Sequence, residues 1–139
     1  MTLSAVRNQY SLGRDILIEG YASRFGQVDQ SGDVVRPGAF SDSLKRGGIP
    51  MLLQHVSGAR AGYWTRMFED GRGLFVRGLI DAESAQKLVH SGLRGLSIGF
   101  RPRVWTPRAE TGRLLVKVDL IEISLVADPM LPSARFAMV

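Results

Sequence analysis

Short apolar segments with strand-like patterns recur along this chain, and turns rich in glycine, proline and aspartate separate them. The segments span residues 15–25, 51–56, 62–68, 74–80, 95–105 and 114–126. Apolar residues that alternate with a period of two predict strands, and residues 70–73 carry the turn signal of a hairpin between the third and fourth segments. The chain must therefore fold mostly as β structure.

Two short helices are predicted among the strands. The first spans residues 37–46, where Phe40 and Leu44 share one face, and the second spans residues 82–90, with Asp81 as its N-cap and Leu88 and Val89 on its inner side. Short strands at regular spacing with few helices predict a mainly β (β-rich α+β) fold. The expected architecture is a single-domain closed β-barrel with a few short flanking helices.

The length and composition fit one globular domain. The chain has 139 residues, of which 45% are hydrophobic and 22% charged, and it contains no internal repeat or linker. We therefore expect residues 1–139 to form a single domain, with a core over about 15–130 and flexible ends.

Several classes of site are excluded by what the sequence lacks. The chain has no cysteine, which rules out disulfides, thiol nucleophiles and cysteine-bound zinc, and it has two histidines. We expect no metal and no cofactor. No apolar stretch reaches the roughly 18 residues that a membrane span needs, and residues 1–10 lack the apolar core of a signal peptide. A soluble, intracellular chain without a membrane partner is the expectation.

The net charge of +5 raises the alternative of a nucleic-acid partner. The densest basic stretch contains Arg101, Arg103, Arg108 and Arg113, with Trp105 among them. Prolines and a glycine also punctuate this stretch, which is typical of a solvated hairpin between two strands. The hairpin is the preferred interpretation, and we do not expect nucleic acid to be a partner, although an acidic protein would suit the same charge.

One serine stands in an apolar strand between two glycines. Alternation places Ser97 on the same side as Gly95 and Gly99, so its hydroxyl is expected to face a gap in which a substrate backbone could lie. Serine is inert without a base, so this residue alone predicts nothing about activity.

An imidazole and a carboxylate also interrupt apolar runs. His55 ends the run that starts at residue 51, and Glu122 stands inside residues 120–126. A histidine at a strand end is also typical of a structural role, and a glutamate can face solvent from an edge strand. Asp119, predicted to face away from Glu122, and Asp128 are rival acids. A serine, a histidine and a carboxylate together could nevertheless form a hydrolytic triad.

Five segments of the chain, in order, resemble the signature segments of the prohead maturation proteases of HK97-type tailed phages. They are Gly20-Tyr21-Ala22-Ser23-Arg24-Phe25, Asp33-Val34-Val35-Arg36-Pro37-Gly38-Ala39-Phe40, Leu53-Gln54-His55, Gly92-Leu93-Arg94-Gly95-Leu96-Ser97-Ile98-Gly99-Phe100 and Glu122-Ile123-Ser124-Leu125-Val126. The match runs from about residue 19 to about residue 129 and so covers most of the chain.

The resemblance implies a serine endopeptidase with a fold similar to the herpesvirus capsid protease, assemblin. By position, Ser97 matches the nucleophile, His55 the general base and Glu122 the acid that orients the histidine. Residues near 127–131 would supply the oxyanion site. The candidate oxyanion-binding or substrate-binding residues are Gly95, Gly99, Asp128 and Met130.

The resemblance also implies a substrate and a setting. The substrate would be the scaffolding segment of the major capsid protein, and the protease would also cleave itself, inside the immature capsid of a phage or a gene transfer agent. It would work in the bacterial host cytoplasm, as a possible homodimer, and would be absent from the mature particle. The alternative is a catalytically inactive assembly factor of the same fold that binds the scaffold.

Overall fold

The computed structural model describes residues 14–109 and 111–139, and the strands dominate them. The predictions for residues 1–10 and for a flexible N-terminal end concern residues outside this part of the chain. The elements in chain order are β1 (Ile16–Arg24), β2 (Val34–Val35), α1 (Ser41–Arg46), β3 (Met51–Leu53), β4 (Arg60–Glu69), β5 (Gly73–Ile80), α2 (Glu83–His90), β6 (Gly95–Pro107), β7 (Arg113–Val126) and β8 (Phe136–Met138).

The predicted helices and strands exist, but their ends differ from the predictions. Helix α1 is shorter than expected: it begins at Ser41, with the fully buried Phe40 as its N-cap. Ala82, not Asp81, is the N-cap of α2, since the Asp81 carboxylate accepts two hydrogen bonds of 2.9 Å from Arg60. Leu88, predicted to lie on the inner side of α2, is 39% exposed.

The prediction of a closed barrel is wrong, because the sheet is open. Its strand order is β2-β7-β3-β4-β5-β1-β8, with β6 paired to β7. The three-residue strand β8 forms its ladder with β1, and within the described residues the C-terminal segment meets β6 through one isolated bridge, between Gly95 and Arg135, the residue before β8. A single bridge cannot provide the continuous ladder that closure requires.

The core runs through the whole sheet and continues past the predicted boundary at residue 130. Ala134 and Phe136, at the C-terminal end, are 0% and 4% exposed. The N–H of Phe136 donates to the carbonyl of Arg94, and the N–H of Leu96 donates to that of Ala134, each at 2.9 Å. The C-terminal segment therefore holds the start of β6 in place.

Strand β7 lies between the other strands that position the candidate site. It pairs in parallel with β3 and in antiparallel with β6 over the residues around Glu122. His55, two residues after the end of β3, and Ser97, near the start of β6, are thus brought to the same part of the sheet as Glu122. This is where the sequence places its three candidate catalytic residues.

The basic stretch lies in the outer half of the long β6–β7 hairpin, as the hairpin interpretation predicts. Arg103 contacts the carboxylates of Asp42 and Asp119, and Arg113 pairs with Asp33. These arginines are engaged by groups of the same chain, which leaves less of the positive charge for an external polyanion.

Residues 14–109 and 111–139 contain neither a membrane-spanning helix nor a cluster of metal-binding side chains. No helix in these ranges is long and apolar enough to cross a membrane. Within the same ranges, no group of three or more histidine, aspartate or glutamate side chains is arranged to hold a metal ion.

Candidate active site

The candidate base lies in a turn with a strained backbone. Strand β3 ends at Leu53, and the next two residues, Gln54 and His55, have φ of 53° and 62°. Residues other than glycine rarely adopt this left-handed conformation, which costs on the order of 1–3 kcal/mol each. The turn takes the chain away from the direction of β3 and brings the His55 side chain to Glu122 on β7.

His55 contacts the candidate acid directly. Its Nδ1 lies 2.6 Å from Oε2 of Glu122, whose side chain is 10% exposed against 42% for the histidine. An ionised carboxylate can only accept, so a hydrogen bond here needs the proton of the neutral ring on Nδ1 and leaves Nε2 free to take one. The hydroxyl of Ser124 donates to the other carboxylate oxygen, Oε1, at 2.6 Å. Both oxygens of this buried carboxylate therefore have partners, as burial of a charge requires.

A β-bulge sets the position of Glu122 on β7. Gly99 is opposite Glu122 but Phe100 is opposite Leu120, so Ile121 is an extra residue in the strand. Bulges of this kind re-aim side chains and occur often beside active sites. The bulge also cancels the predicted alternation, since Asp119 and Glu122 now lie on the same side in register. Asp119 instead contacts Arg103 and Arg46, at 3.4 and 3.9 Å.

The two glycines beside Ser97 make room for groups of the protein. A Cβ atom at Gly99 would overlap the carboxyl group of Glu122, and one at Gly95 would lie 2.5 Å from the carbonyl oxygen of Val126 and 2.9 Å from Pro129. The gap expected from the sequence is therefore filled by Glu122 at one glycine and by Pro129 at the other. A role of either glycine backbone in binding substrate stays a prediction.

Ser97 lies on the same face of the sheet as Glu122. In the β6–β7 ladder Ser97 is opposite Ser124, and Gly99 is opposite Glu122. Directly opposed residues point to the same side, so the Ser97 and Ser124 side chains share the face that carries Glu122. Ser97 is 6% exposed. Within the described residues no hydrogen bond joins Ser97 to His55, and catalytic hydrogen bonds often form only once substrate is bound.

Two depressions in the surface adjoin these residues. Ser97 lines one, together with Ser23, Gln27, Met130 and Leu131 among others. His55, Gly99 and Glu122 line the other, with Leu52, Ser57 and Ile121 among others. Met130 is thus close to the predicted nucleophile, whereas Asp128 is an exposed residue of the loop after β7.

Sequence reasoning missed two residues that organise this site. Ser124 bonds Glu122, and the Gln54 side-chain oxygen accepts the N–H of Ala127 at 3.1 Å, which ties the histidine turn to the loop after β7. For Ser124 a signal was available, because it is two residues from Glu122 and so on the same strand face. For Gln54 there was none, since a side-chain bond across 73 residues leaves no local pattern.

Comparison with known proteins identifies the family. Residues 4–139 match the family model described as "Caudovirus prohead serine protease". The chain belongs to this family. Within it, the chain is similar to the prohead protease of Enterobacteria phage HK97, with 33% identity over 136 residues. That match covers 90% of this chain, which spans 60% of the length of the HK97 protein.

Solved structures of two other proteases share the fold of this prohead protease family member. The KSHV protease, solved with a hexapeptide phosphonate inhibitor, superposes with a TM-score of 0.63 at 15% identity, over 91% of this chain and 65% of that one. The capsid assembly protease of bacteriophage T4 has a TM-score of 0.61 at 14% identity, over 85% of each chain. The resemblance to the herpesvirus protease fold is confirmed.

Proposed function

We propose that this chain is a serine endopeptidase of capsid maturation in which Ser97 is the nucleophile, His55 the general base and Glu122 the orienting acid. The observation that carries the proposal is the 2.6 Å contact between His55 Nδ1 and the buried Glu122 carboxylate, on the sheet face that Ser97 shares. Family membership supports the same assignment. The three residues also occur in the chain order that the family resemblance implies.

The proposed reaction is acyl transfer. As the Ser97 hydroxyl oxygen attacks the carbonyl carbon of the scissile peptide, His55 Nε2 takes its proton and later gives it to the leaving amine. Water then attacks the acyl ester, His55 accepts its proton, and Ser97 is regenerated. Glu122 stabilises the imidazolium that exists in each transition state and keeps the proton of the neutral ring on Nδ1.

The loop after β7 is the proposed source of the oxyanion site, with preorganised backbone N–H groups as donors. The N–H of Ala127 already donates to Gln54, and Pro129 has no N–H. Asp128 and Met130 therefore carry the proposed donors. The position of Met130 in the wall of the depression that Ser97 lines supports this assignment.

The proposed substrate is the scaffolding segment of the major capsid protein, together with the protease itself. The similarity to the HK97 prohead protease and the fold shared with the T4 capsid assembly protease support a capsid substrate. Cleavage would take place inside the immature capsid of a phage or gene transfer agent in the bacterial host cytoplasm. A homodimer and loss of the protease from the mature particle belong to the same proposal.

The test is co-expression with the major capsid protein of the same genome. We expect the wild-type chain to shorten the capsid protein and Ser97→Ala to abolish shortening, with Ser84→Ala as the control because Ser84 is exposed on α2. A fluorophosphonate probe should label the wild type and Ser84→Ala but not Ser97→Ala. Full processing by Ser97→Ala contradicts the proposal, and binding of capsid protein by an unlabelled, inactive wild type favours the non-catalytic assembly factor.

A further inference from the structure

Ser124 is fully buried, and its hydroxyl links the candidate acid to the candidate base. Its Oγ donates to Glu122 Oε1 at 2.6 Å and accepts the backbone N–H of His55 at 3.0 Å. The acyl-transfer mechanism has no step for this residue. We propose that Ser124 is a positioning residue that holds Glu122 and His55 in their reactive arrangement. The inference rests on the proposed function, because only a catalytic role for His55 gives that arrangement a purpose.

The first contact of the Ser124 hydroxyl restrains the Glu122 carboxylate. Rotation about the last side-chain bond of a glutamate is only weakly restricted, so one hydrogen bond leaves the carboxylate plane free to turn. Here the Ser124 hydroxyl holds Oε1 while Oε2 accepts from His55. Two fixed oxygens define the plane of the group. Without the hydroxyl, Oε1 would also be left unpaired in a buried place.

The second contact of the Ser124 hydroxyl restrains the backbone of the histidine turn. His55 follows the end of β3, so its N–H has no place in the strand ladder, and its φ of 62° is unfavourable for a residue with a side chain. The Ser124 hydroxyl accepts this N–H in place of a strand carbonyl. The same oxygen atom therefore restrains both the turn that carries the imidazole and the carboxylate that orients it.

The position of Ser124 on β7 places it between the two sides of the candidate site. Ser124 is opposite Ser97 on β6 and is paired in register with Leu52 on β3. It thus lies on the strand between the one that carries the proposed nucleophile and the one that leads to the base. A hydroxyl there can fix the two sides of the site relative to each other.

A second buried serine provides a matched control. Ser43 is also fully buried, and its Oγ likewise bridges to β7, since it accepts the N–H of Leu120 at 2.9 Å and donates to the carbonyl of Val118. Its hydroxyl contacts neither His55 nor Glu122. Ser43→Ala therefore removes a buried hydroxyl of the same kind without touching the candidate site.

The decisive measurement is the tautomer of neutral His55, read from its ring nitrogen shifts by long-range ¹H–¹⁵N NMR. The chain has two histidines, so His90→Gln assigns the signals. We expect the Nδ1–H form in the wild type and in Ser43→Ala, and a shift toward Nε2–H in Ser124→Ala. Ser124→Thr and Ser124→Val form a second pair of equal volume, with and without the hydroxyl. The threonine variant should keep the Nδ1–H form and the valine variant should lose it.

Activity provides a separate readout. The rate of Ser97 labelling by a fluorophosphonate should fall about 10–100-fold in Ser124→Ala, by analogy with the hydrogen-bond partners of metal-ligating residues, whose loss costs that much. The rate should stay within about twofold in Ser43→Ala, since that variant leaves the site intact. An unchanged tautomer and labelling rate in Ser124→Ala would overturn the inference, as would an Nε2–H wild type. The NMR measurement does not need catalysis, so the two proposals can fail separately. If the wild type is never labelled but its His55 tautomer still depends on Ser124, the protease proposal is rejected and the positioning role of Ser124 is retained.

Discussion

Glu122 is an ionisable residue that is buried, a combination that is rare in a strand. Its carboxylate is held by an imidazole on one oxygen and a hydroxyl on the other, and the missing side chain at Gly99 leaves the space in which it lies. Burying a carboxylate costs several kcal/mol unless such partners exist. The local environment therefore supplies a partner for each oxygen of this carboxyl group.

The charge of the Glu122 side chain should matter more for activity than its shape. In Glu122→Gln we expect Ser97 labelling to fall by a factor of about 10⁴, because an uncharged amide neither stabilises the imidazolium nor keeps the ring in the right tautomer. Labelling kinetics with a fluorophosphonate measure this. Asp119→Asn is the control, since Asp119 bonds arginines away from His55, and a larger loss in that variant would mean that the wrong acid has been identified.

Strand β2 has few strand-pairing hydrogen bonds of its own to stabilise it. It has two residues, Val34 and Val35, which pair with β7. Asp33, just before it, is 4% exposed. Its carboxylate accepts a hydrogen bond of 2.9 Å from the backbone N–H of Arg113 and one of 2.7 Å from the Arg113 guanidinium. These bonds outweigh burial and hold the pKa of Asp33 below its usual value. The ion pair fastens a short strand that its own ladder could not hold.

The lowered pKa of Asp33 predicts a pH dependence. Because the folded pKa lies below the unfolded one, the stabilisation is complete above about pH 4, the unfolded value, and is lost as the pH falls through the folded pKa. Asp33→Asn should lower the free energy of unfolding by about 1.5–3 kcal/mol at pH 7 and flatten its dependence on pH below pH 4. Urea unfolding at several pH values measures both effects.

Asp81→Asn is the matched control for this variant. Its bidentate pair with Arg60 is more exposed, so we expect a loss of less than about 1 kcal/mol. Equal losses in the two variants would contradict the anchoring role of Asp33.

The open sheet makes the whole molecule dependent on its C-terminal segment. Strand β8 covers the edge of β1, and the residues before it bond the start of β6, the strand of Ser97. Phe136 fixes this segment in the core, where it is 4% exposed, whereas Met138 two residues later is 45% exposed. The C-terminal segment thus links β1 to the start of β6, a link that a continuous strand ladder would provide in a closed barrel.

Loss of the Phe136 side chain should therefore be costly. We expect Phe136→Ala to lower the free energy of unfolding by about 3–5 kcal/mol, as for other buried aromatic residues, and Met138→Ala to change it by no more than about 0.5 kcal/mol. Denaturant unfolding of the two variants measures the difference. Similar small effects would show that the C-terminal segment adds little to the core.

Local pattern was sufficient for much of this molecule. Alternation predicts β1, β4, β5, β6 and β7, because the side chains of a strand alternate between its two faces and neighbouring residues in the sequence show this period of two. Ser97, His55 and Glu122 stand out for a similar reason, since each interrupts an apolar run that is otherwise suited to burial. The family resemblance then supplies a role for each of them, and membership of that family is confirmed.

Only the tertiary structure decided how these parts meet. The open sheet, the bulge at Ile121 and the left-handed turn at Gln54 and His55 depend on which strands pair and in what register. So does the hydroxyl of Ser124 between the acid and the base. A sequence pattern records which face of a strand is buried, but strand pairing is settled by contacts between residues far apart in the chain, and these leave no local periodicity.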